Sequence, residues 1–161
     1  MKIAVLSDSH DNIWKLDAAM GILQKADSVL HCGDLCSPFM VKRMAEGISC
    51  PIHIVWGNND GDRYNILKVA QEYQHVHIEG PYIELSLGGR EIAMTHYPRI
   101  ACPAARSGQY DLVCYGHDHT AHQEKVGDCL VLNPGELMGL KGRSTVACVD
   151  LESMAVEVLE V

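Results

Sequence analysis

Seven residues with side chains suited to holding metal ions stand out by their positions: Asp8, His10, Asp34, Asn58, His96, His117 and His119. They fall at the ends of five apolar runs and offer two carboxylates, one amide oxygen and four imidazoles, with no thiolate needed. That mixture suits Mn²⁺, Fe²⁺, Ni²⁺, Co²⁺ or Zn²⁺ better than Mg²⁺, which prefers almost wholly oxygen coordination. Each block taken singly has an ordinary explanation. An Asp-Xaa-His triplet can be a plain loop, Asp34 after Gly33 can cap a helix, and a lone histidine can simply be exposed or hydrogen-bonded. Their shared position at strand ends, where open α/β sheets bind ligands, sets them apart. A glycine directly precedes Asp34, Asn58 and His117, which would let the backbone turn tightly around something bulky.

These residues need elements that deliver them to one place. The run Lys2 to Leu6 reads as a buried strand ending in Ser7-Asp8-Ser9-His10-Asp11. Asn12 is a plausible helix N-cap, and Ile13, Leu16, Ala19, Met20 and Leu23 recur at helical spacing through about Lys25. Ser28 to Cys32 is a second strand, followed by a helix from Pro38 that Gly47 stops. Ile52 to Trp56 is a third, followed by a helix centred on residues 66 to 70. Repeated strand and helix units predict a parallel sheet with crossover helices. Further along, His75 to Ile78, Tyr82 to Leu87 and Arg90 to Thr95 are short strands, with Gly88-Gly89 as a hairpin turn. Residues 99 to 108 are ambiguous between loop and short helix. Asp111 to Tyr115 is another buried strand, and Gln123 to Val126, Cys129 to Leu132, Ser144 to Asp150 and Ala155 to Leu159, with Gly127-Asp128 as a turn, predict a second layer of mostly antiparallel strands. No linker or repeat divides the chain, so residues 1–161 are expected to form one domain with helices outside two stacked sheets.

Composition narrows the partners. A formal charge of -8 argues against a broad basic patch for extended nucleic-acid binding. It leaves a phosphate-containing substrate open, because bound cations reverse the local sign. No apolar run approaches membrane-spanning length, and Asp8 and His10 interrupt the first one too early for a signal peptide, so a cytoplasmic protein is expected. The seven cysteines include no Cys-Xaa-Xaa-Cys pair and read as packing or incidental residues.

The set Asp8-Xaa-His10, Gly33-Asp34, Gly57-Asn58-Xaa-Asp60, His96 and Gly116-His117-Xaa-His119 resembles the calcineurin-like metallophosphoesterase superfamily. The small size and Asn133-Pro134-Gly135 resemble its compact bacterial and archaeal phosphodiesterase branch. The resemblance implies an α/β fold, a four-layer α/β/β/α sandwich of two mixed β-sheets flanked by helices. It implies two divalent transition-metal ions, Mn²⁺ first, with Ni²⁺, Fe²⁺, Co²⁺ or Zn²⁺ as alternatives. Asp8, His10, Asp34 and His119 surround one ion; Asp34, Asn58, His96 and His117 surround the other. A hydroxide activated by this binuclear centre then attacks a small phosphate-ester substrate. A phosphodiesterase is the expected activity. The alternatives are a phosphomonoesterase or nucleotidase, or a non-catalytic interaction scaffold like the superfamily's retromer-associated branch. Self-association is common in the family, so a homo-oligomer stays open.

Three departures matter. Where many members have a histidine after the metal-binding asparagine, this chain has Asn59, which can bond phosphate but cannot act as a general acid. The family's His-Gly-His block is represented by His96-Tyr97-Pro98, making Tyr97 a candidate for shaping the substrate mouth. Glu136 stands where a serine is common and is expected to disfavour highly anionic substrates. Asn12 is a candidate substrate contact or simply a helix cap. Asp60 is expected to orient Asn58 or to cap the next helix. His31, His53, His75 and His77 read as packing, surface or hydrogen-bonding residues, and His122 lies close in sequence to the His117/His119 pair.

Overall fold

The computed structural model describes residues 1–161. The chain runs β1 (Lys2–Leu6), α1 (Ile13–Leu23), β2 (Ser28–His31), α2 (Pro38–Gly47), β3 (Ile52–Val55), α3 (Arg63–Ala70) and β4 (Val76–Gly80). It continues through β5 (Tyr82–Leu87), β6 (Arg90–Thr95), α4 (Pro98–Arg106), β7 (Leu112–Cys114), β8 (His122–Val126), β9 (Cys129–Asn133), β10 (Thr145–Asp150) and β11 (Ala155–Glu160). One sheet has the order β11-β10-β1-β2-β3-β4, the other β5-β6-β7-β9-β8.

Strand β1 shows why the layers stack. Ile3 and Val5 point into the core between the sheets, while Ala4 and Leu6 point into a second core beneath α1, α2 and α3. Alternate residues of one strand thus feed two cores, and a strand buried on both faces must be apolar throughout. On the far side, Ala101 and Ala105 of α4 pack on Ala93, Val113 and Val131 of the second sheet. The result is the four-layer α/β/β/α sandwich. No helix is long and apolar enough to cross a membrane.

The second layer is not mostly antiparallel. β6, β7 and β9 run parallel, and only the edge strands β5 and β8 pair antiparallel. Parallel neighbours need a long crossover, which α4 supplies between β6 and β7, and the β8 excursion supplies between β7 and β9. β10 and β11 do not join this layer at all; they extend the first sheet, β10 pairing antiparallel with β1. The helices follow the sequence more closely. Asn12 caps α1 by accepting from the Lys15 N–H at 3.2 Å, and the ambiguous stretch after residue 98 becomes α4. Gly88 and Gly89 take φ of +57° and +75°, as a two-residue hairpin turn between β5 and β6 requires.

Leu16 and Trp14 lie on the same helix with opposite fates, fully buried and 82% exposed. Leu16→Ala should cost about 2–5 kcal/mol, whereas Trp14→Ala should change stability by less than about 0.5 kcal/mol. Urea unfolding midpoints at constant m distinguish the two outcomes.

Candidate metal centre

Parallel pairing brings the carboxyl ends of β1, β2 and β3 to one edge of their sheet, and those of β6, β7 and β9 to one edge of theirs. Backbone hydrogen bonds then stitch the ends together. The Asp8 and His10 N–H groups donate to Gly33 and Asp34 carbonyls at 3.0 Å each, joining the loops after β1 and β2. Between sheets, Leu137 and Met138 N–H groups donate to the Ser7 and Asp8 carbonyls at 2.9 and 3.0 Å. His117 N–H donates to Asp8 Oδ2 at 3.0 Å. Buried His31 adds a side-chain link: its Nδ1 accepts from Gly33 N–H at 3.2 Å, so Nε2 carries the proton toward Ser9 Oγ at 2.9 Å. Burial pulls the His31 pKa down to about 4, keeping this link neutral.

The closeness has a conformational cost. Asp8, His10, Asp34, His117 and His119 all have positive φ, from 39° to 74°. Such backbone persists only where surrounding structure imposes it, and it clusters at functional sites. The glycines act differently from the sequence expectation. Of Gly33, Gly57 and Gly116, only Gly33 has positive φ, at +95°. A Cβ on Gly57 would lie 2.1 Å from Asp34 Oδ1 and 2.6 Å from its backbone nitrogen. One on Gly116 would lie 1.9 Å from Ser7 Oγ and 2.7 Å from Asp8 Oδ2. Gly57 and Gly116 make room for the neighbouring strand ends to touch, and the bulky object beside each is an element of the chain itself.

Two groups of potential ligands result: Asp8, His10 and His119, and Asp8, Asp34 and His96. In the first, Asp8 Oδ1 is 3.3 Å from His119 Nε2 and 3.7 Å from His10 Nε2. In the second, Asp34 Oδ2 is 3.4 Å from His96 Nε2 and 3.6 Å from His10 Nε2, so Asp34 also lies between the groups. Asn58 Oδ1 is 3.1 Å from His96 Nε2 and 2.9 Å from His117 Nδ1. All seven sequence candidates therefore meet at one edge.

The donor set fits cations. His96 Nδ1 contacts the Cys32 carbonyl at 2.8 Å, and a carbonyl only accepts, so the proton sits on Nδ1. Were His96 neutral, its Nε2 lone pair would face the Asn58 oxygen and the Asp34 carboxylate, which are acceptors as well; burial opposes a charge on the ring, but the Asp34 carboxylate outweighs it and raises the His96 pKa. Buried Asp8 Oδ1 and His10 Nε2 have no hydrogen-bond partner. Acceptors facing acceptors in a buried site repel unless a proton or metal ion lies between them. Protons fill that role in part. The Asp8 carboxylate beside His10 raises its pKa from 6.5 to about 10, although 3.7 Å is an ion-pair distance rather than a hydrogen bond. Burial pushes the Asp34 pKa up, but His96 and the two Asn59 donors outweigh it and hold the carboxyl below its usual range.

The remaining candidates have definite partners. Asn59 donates to Asp34 twice, from its backbone N–H at 2.8 Å and its side-chain Nδ2 at 2.7 Å. Asp60 is buried and accepts from the backbone N–H groups of Asp34, Leu35, Cys36 and Gly57. It binds the Asp34 loop to the Asn58 loop; capping of α3 falls instead to Asp62. Besides capping α1, Asn12 donates to the Met138 carbonyl at 2.8 Å. The Tyr97 ring lies 5.1 Å from the His96 ring and 5.5 Å from the His117 ring, at the edge of the site, with the Arg99 guanidinium over it. His122 is exposed on β8, where its nearest ionic neighbour is Glu124. Glu136 has a partner that sequence reasoning missed: it is fully buried with Oε2 2.6 Å from His119 Nδ1. Its place directly after a Pro-Gly turn was the only local signal.

Two stacked sheets flanked by helices, with carboxylate and imidazole clusters at their common edge, are the design of a metal-dependent phosphoric ester hydrolase. The chain belongs to the calcineurin-like phosphoesterase superfamily, matching its domain over residues 1–154. It is 34% identical over 157 residues to the phosphodiesterase MJ0936 of Methanocaldococcus jannaschii, covering 94% of each chain. A solved archaeal phosphodiesterase superimposes with a TM-score of 0.92 at 32% identity, covering 100% of both chains. Zinc-complexed Vps29 of Entamoeba histolytica shares the fold, with a TM-score of 0.69 at 16% identity and coverage of 100% of this chain and 98% of that one.

Two predictions test this geometry. Gly57→Ala puts its new Cβ against backbone as well as side chain, so it should lower Mn²⁺ stoichiometry in equilibrium dialysis and destabilise the fold by about 1–3 kcal/mol. The second concerns pH. The folded metal-free chain holds the His10 proton more tightly than the unfolded one, a contribution fully present below pH 6.5 and lost as pH rises through about 10. Depressed Asp8 and Asp34 act oppositely, contributing above their ordinary 3.8 and losing that contribution in acid. The thermal stability of metal-free protein should therefore fall between pH 6.5 and about 10, with His96 acting in the same direction, and His10→Gln should make that fall shallower.

Proposed function

We propose that the chain hydrolyses phosphodiesters with two divalent cations, Mn²⁺ foremost. Asp8, His10, Asp34 and His119 would hold one ion, and Asp34, Asn58, His96 and His117 the other. The observation that carries this reading is the convergence of metal-ligating groups on Asp34 Oδ2, which lies within 3.6 Å of both His10 Nε2 and His96 Nε2. Two cations bound there supply Lewis acidity, acidifying water and offsetting charge on the phosphoryl oxygens.

The chain's own groups set what that chemistry can act on. Asn58, Asn59 and His117 are exposed while Asp8, Asp34 and His96 are buried, so the cluster opens to solvent on one side. An open mouth leaves room for both ester arms of a diester. Asn59 holds Asp34 in place through its two donated bonds. An amide cannot give up a proton, so the leaving oxygen gains no acid assistance from this position. Aryl oxygens depart without such help, whereas alkyl or ribose oxygens need it. Tyr97, beside His96 and His117, is proposed to border the substrate. A cytoplasmic setting is supported by seven free cysteines, which suit a reducing compartment.

Metal-loaded protein should show Mn²⁺- or Ni²⁺-stimulated hydrolysis of an activated aryl phosphodiester, faster than an unactivated alkyl diester or an aryl monoester. His117→Ala should lower kcat/KM by about 10²-fold or more, while exposed His122→Ala should leave it nearly unchanged. Asn59→His should raise the alkyl-to-aryl rate ratio, with general acid catalysis setting an upper scale of about 10²–10⁴-fold. Folded, fully loaded wild type that hydrolyses neither ester class across a broad pH range would hand the fold to the scaffold reading.

A further inference from the structure

Glu136 is a fully buried carboxylate that the binding scheme above does not use. Acidic groups are almost never fully buried without partners, and its partners are specific. Oε1 accepts from the backbone N–H groups of Lys141 and Gly142 at 2.5 and 2.7 Å. Oε2 lies 2.6 Å from His119 Nδ1. The next two residues, Leu137 and Met138, donate their backbone N–H groups to the carbonyls of Ser7 and Asp8. The carboxylate is therefore positioned relative to Asp8, whose Oδ1 stands 3.3 Å from the other nitrogen of the same imidazole.

The turn before it makes this possible. Gly135 has φ of +84°, and a Cβ there would lie 2.3 Å from Thr145 Oγ1. Asn133 accepts from Gly135 N–H at 3.0 Å and donates to the Gly116 carbonyl at 3.1 Å, fastening the turn to the loop that carries His117 and His119. The turn thus directs the next side chain inward, under His119.

We propose that Glu136 is the positioning residue for His119: its carboxylate keeps a proton on Nδ1 and presents the Nε2 lone pair to the cation site shared with Asp8 and His10. This inference rests on the metal-dependent reading of the site. The physical reason is an assignment of protons. Oε1 already receives two N–H groups, and an ionised Oε2 can only accept, so a short contact with Nδ1 needs the proton on Nδ1. A carboxylate behind a ligating imidazole also raises its basicity and fixes its ring orientation. A ring flip would take Nδ1 away from Glu136 and Nε2 away from Asp8 together, so it could not correct a wrong tautomer.

Glu136→Gln separates this role from plain loop support. The two backbone donors still require an oxygen, so the glutamine amide oxygen stays with Lys141 and Gly142. Its NH₂ group then faces Nδ1, which favours the tautomer with the proton on Nε2. Calorimetric titration of metal-free protein with Mn²⁺ should give two equivalents for wild type. In the variant, one equivalent should weaken by about 10–100-fold with the other little changed. Long-range proton–nitrogen spectra of Zn²⁺-loaded wild type should show His119 protonated at Nδ1 and metal-bound at Nε2. Two unchanged affinities in Glu136→Gln overturn the positioning role alone. Wild type that binds no metal overturns both this inference and the reading beneath it. If the variant fails to fold, the wild-type spectrum decides, and His119 bound through Nδ1 or protonated at Nε2 overturns the proposal.

Discussion

Two buried carboxylates at the ends of adjacent strands, Asp8 after β1 and Asp34 after β2, are the constraint around which the site is arranged. Like charges this close and this far from water are unfavourable unless positive charge or donated hydrogen bonds surround them. The chain meets that need with histidines and with donors whose positions the fold sets. Asp8 receives the His117 backbone N–H, Asp34 receives Asn59 twice, and His10, His96 and His119 crowd the remaining oxygens. Histidine can be a protonated partner in the metal-free chain and a neutral ligand in the loaded one. The same side chains therefore serve the fold in both states.

Bringing the carboxylates together requires strand ends to approach more closely than ordinary side chains allow. Gly57 and Gly116 remove the Cβ atoms that would collide, and five candidate ligands adopt positive φ. Asp and His tolerate that region better than β-branched residues, yet each such residue still costs on the order of 1–3 kcal/mol. Asp60 offsets part of this by gathering four backbone N–H groups from both neighbouring loops. Glu136 does the same across the sheets, joining the loop after β9 to His119. Neither carboxylate faces the open mouth, and both act through what they hold.

Because the site draws on both sheets, its geometry depends on the core between them. Ile3, Val5, Leu30 and Val55 from one sheet meet Met94, Cys114 and Leu132 from the other, directly behind the strand ends. A shift of one sheet over the other would move His96, His117 and His119 relative to Asp8 and Asp34. Close packing resists such sliding, since interiors pack as densely as organic crystals. Core packing and ligand geometry are one problem in this fold.

The sequence by itself determined the residue types able to ligate metal, their arrival at strand ends, the N-cap at Asn12, the Gly88-Gly89 turn and the unbroken apolar run that makes β1 a buried strand. These depend on local chemistry and on the periods of helix and strand, which a short window contains. Tertiary structure alone decided that β10 returns to pair with β1 and that β6, β7 and β9 run parallel. Strands hidden on both faces carry no alternation to reveal their neighbours, and pairing partners lie far apart along the chain. It also decided what the turn residues touch. Gly57 yields to Asp34, Asp60 collects backbone amides, and Glu136 goes under His119 rather than into solvent. A residue's type limits the bonds it can make, but which partner arrives within 3 Å is a property of the folded chain.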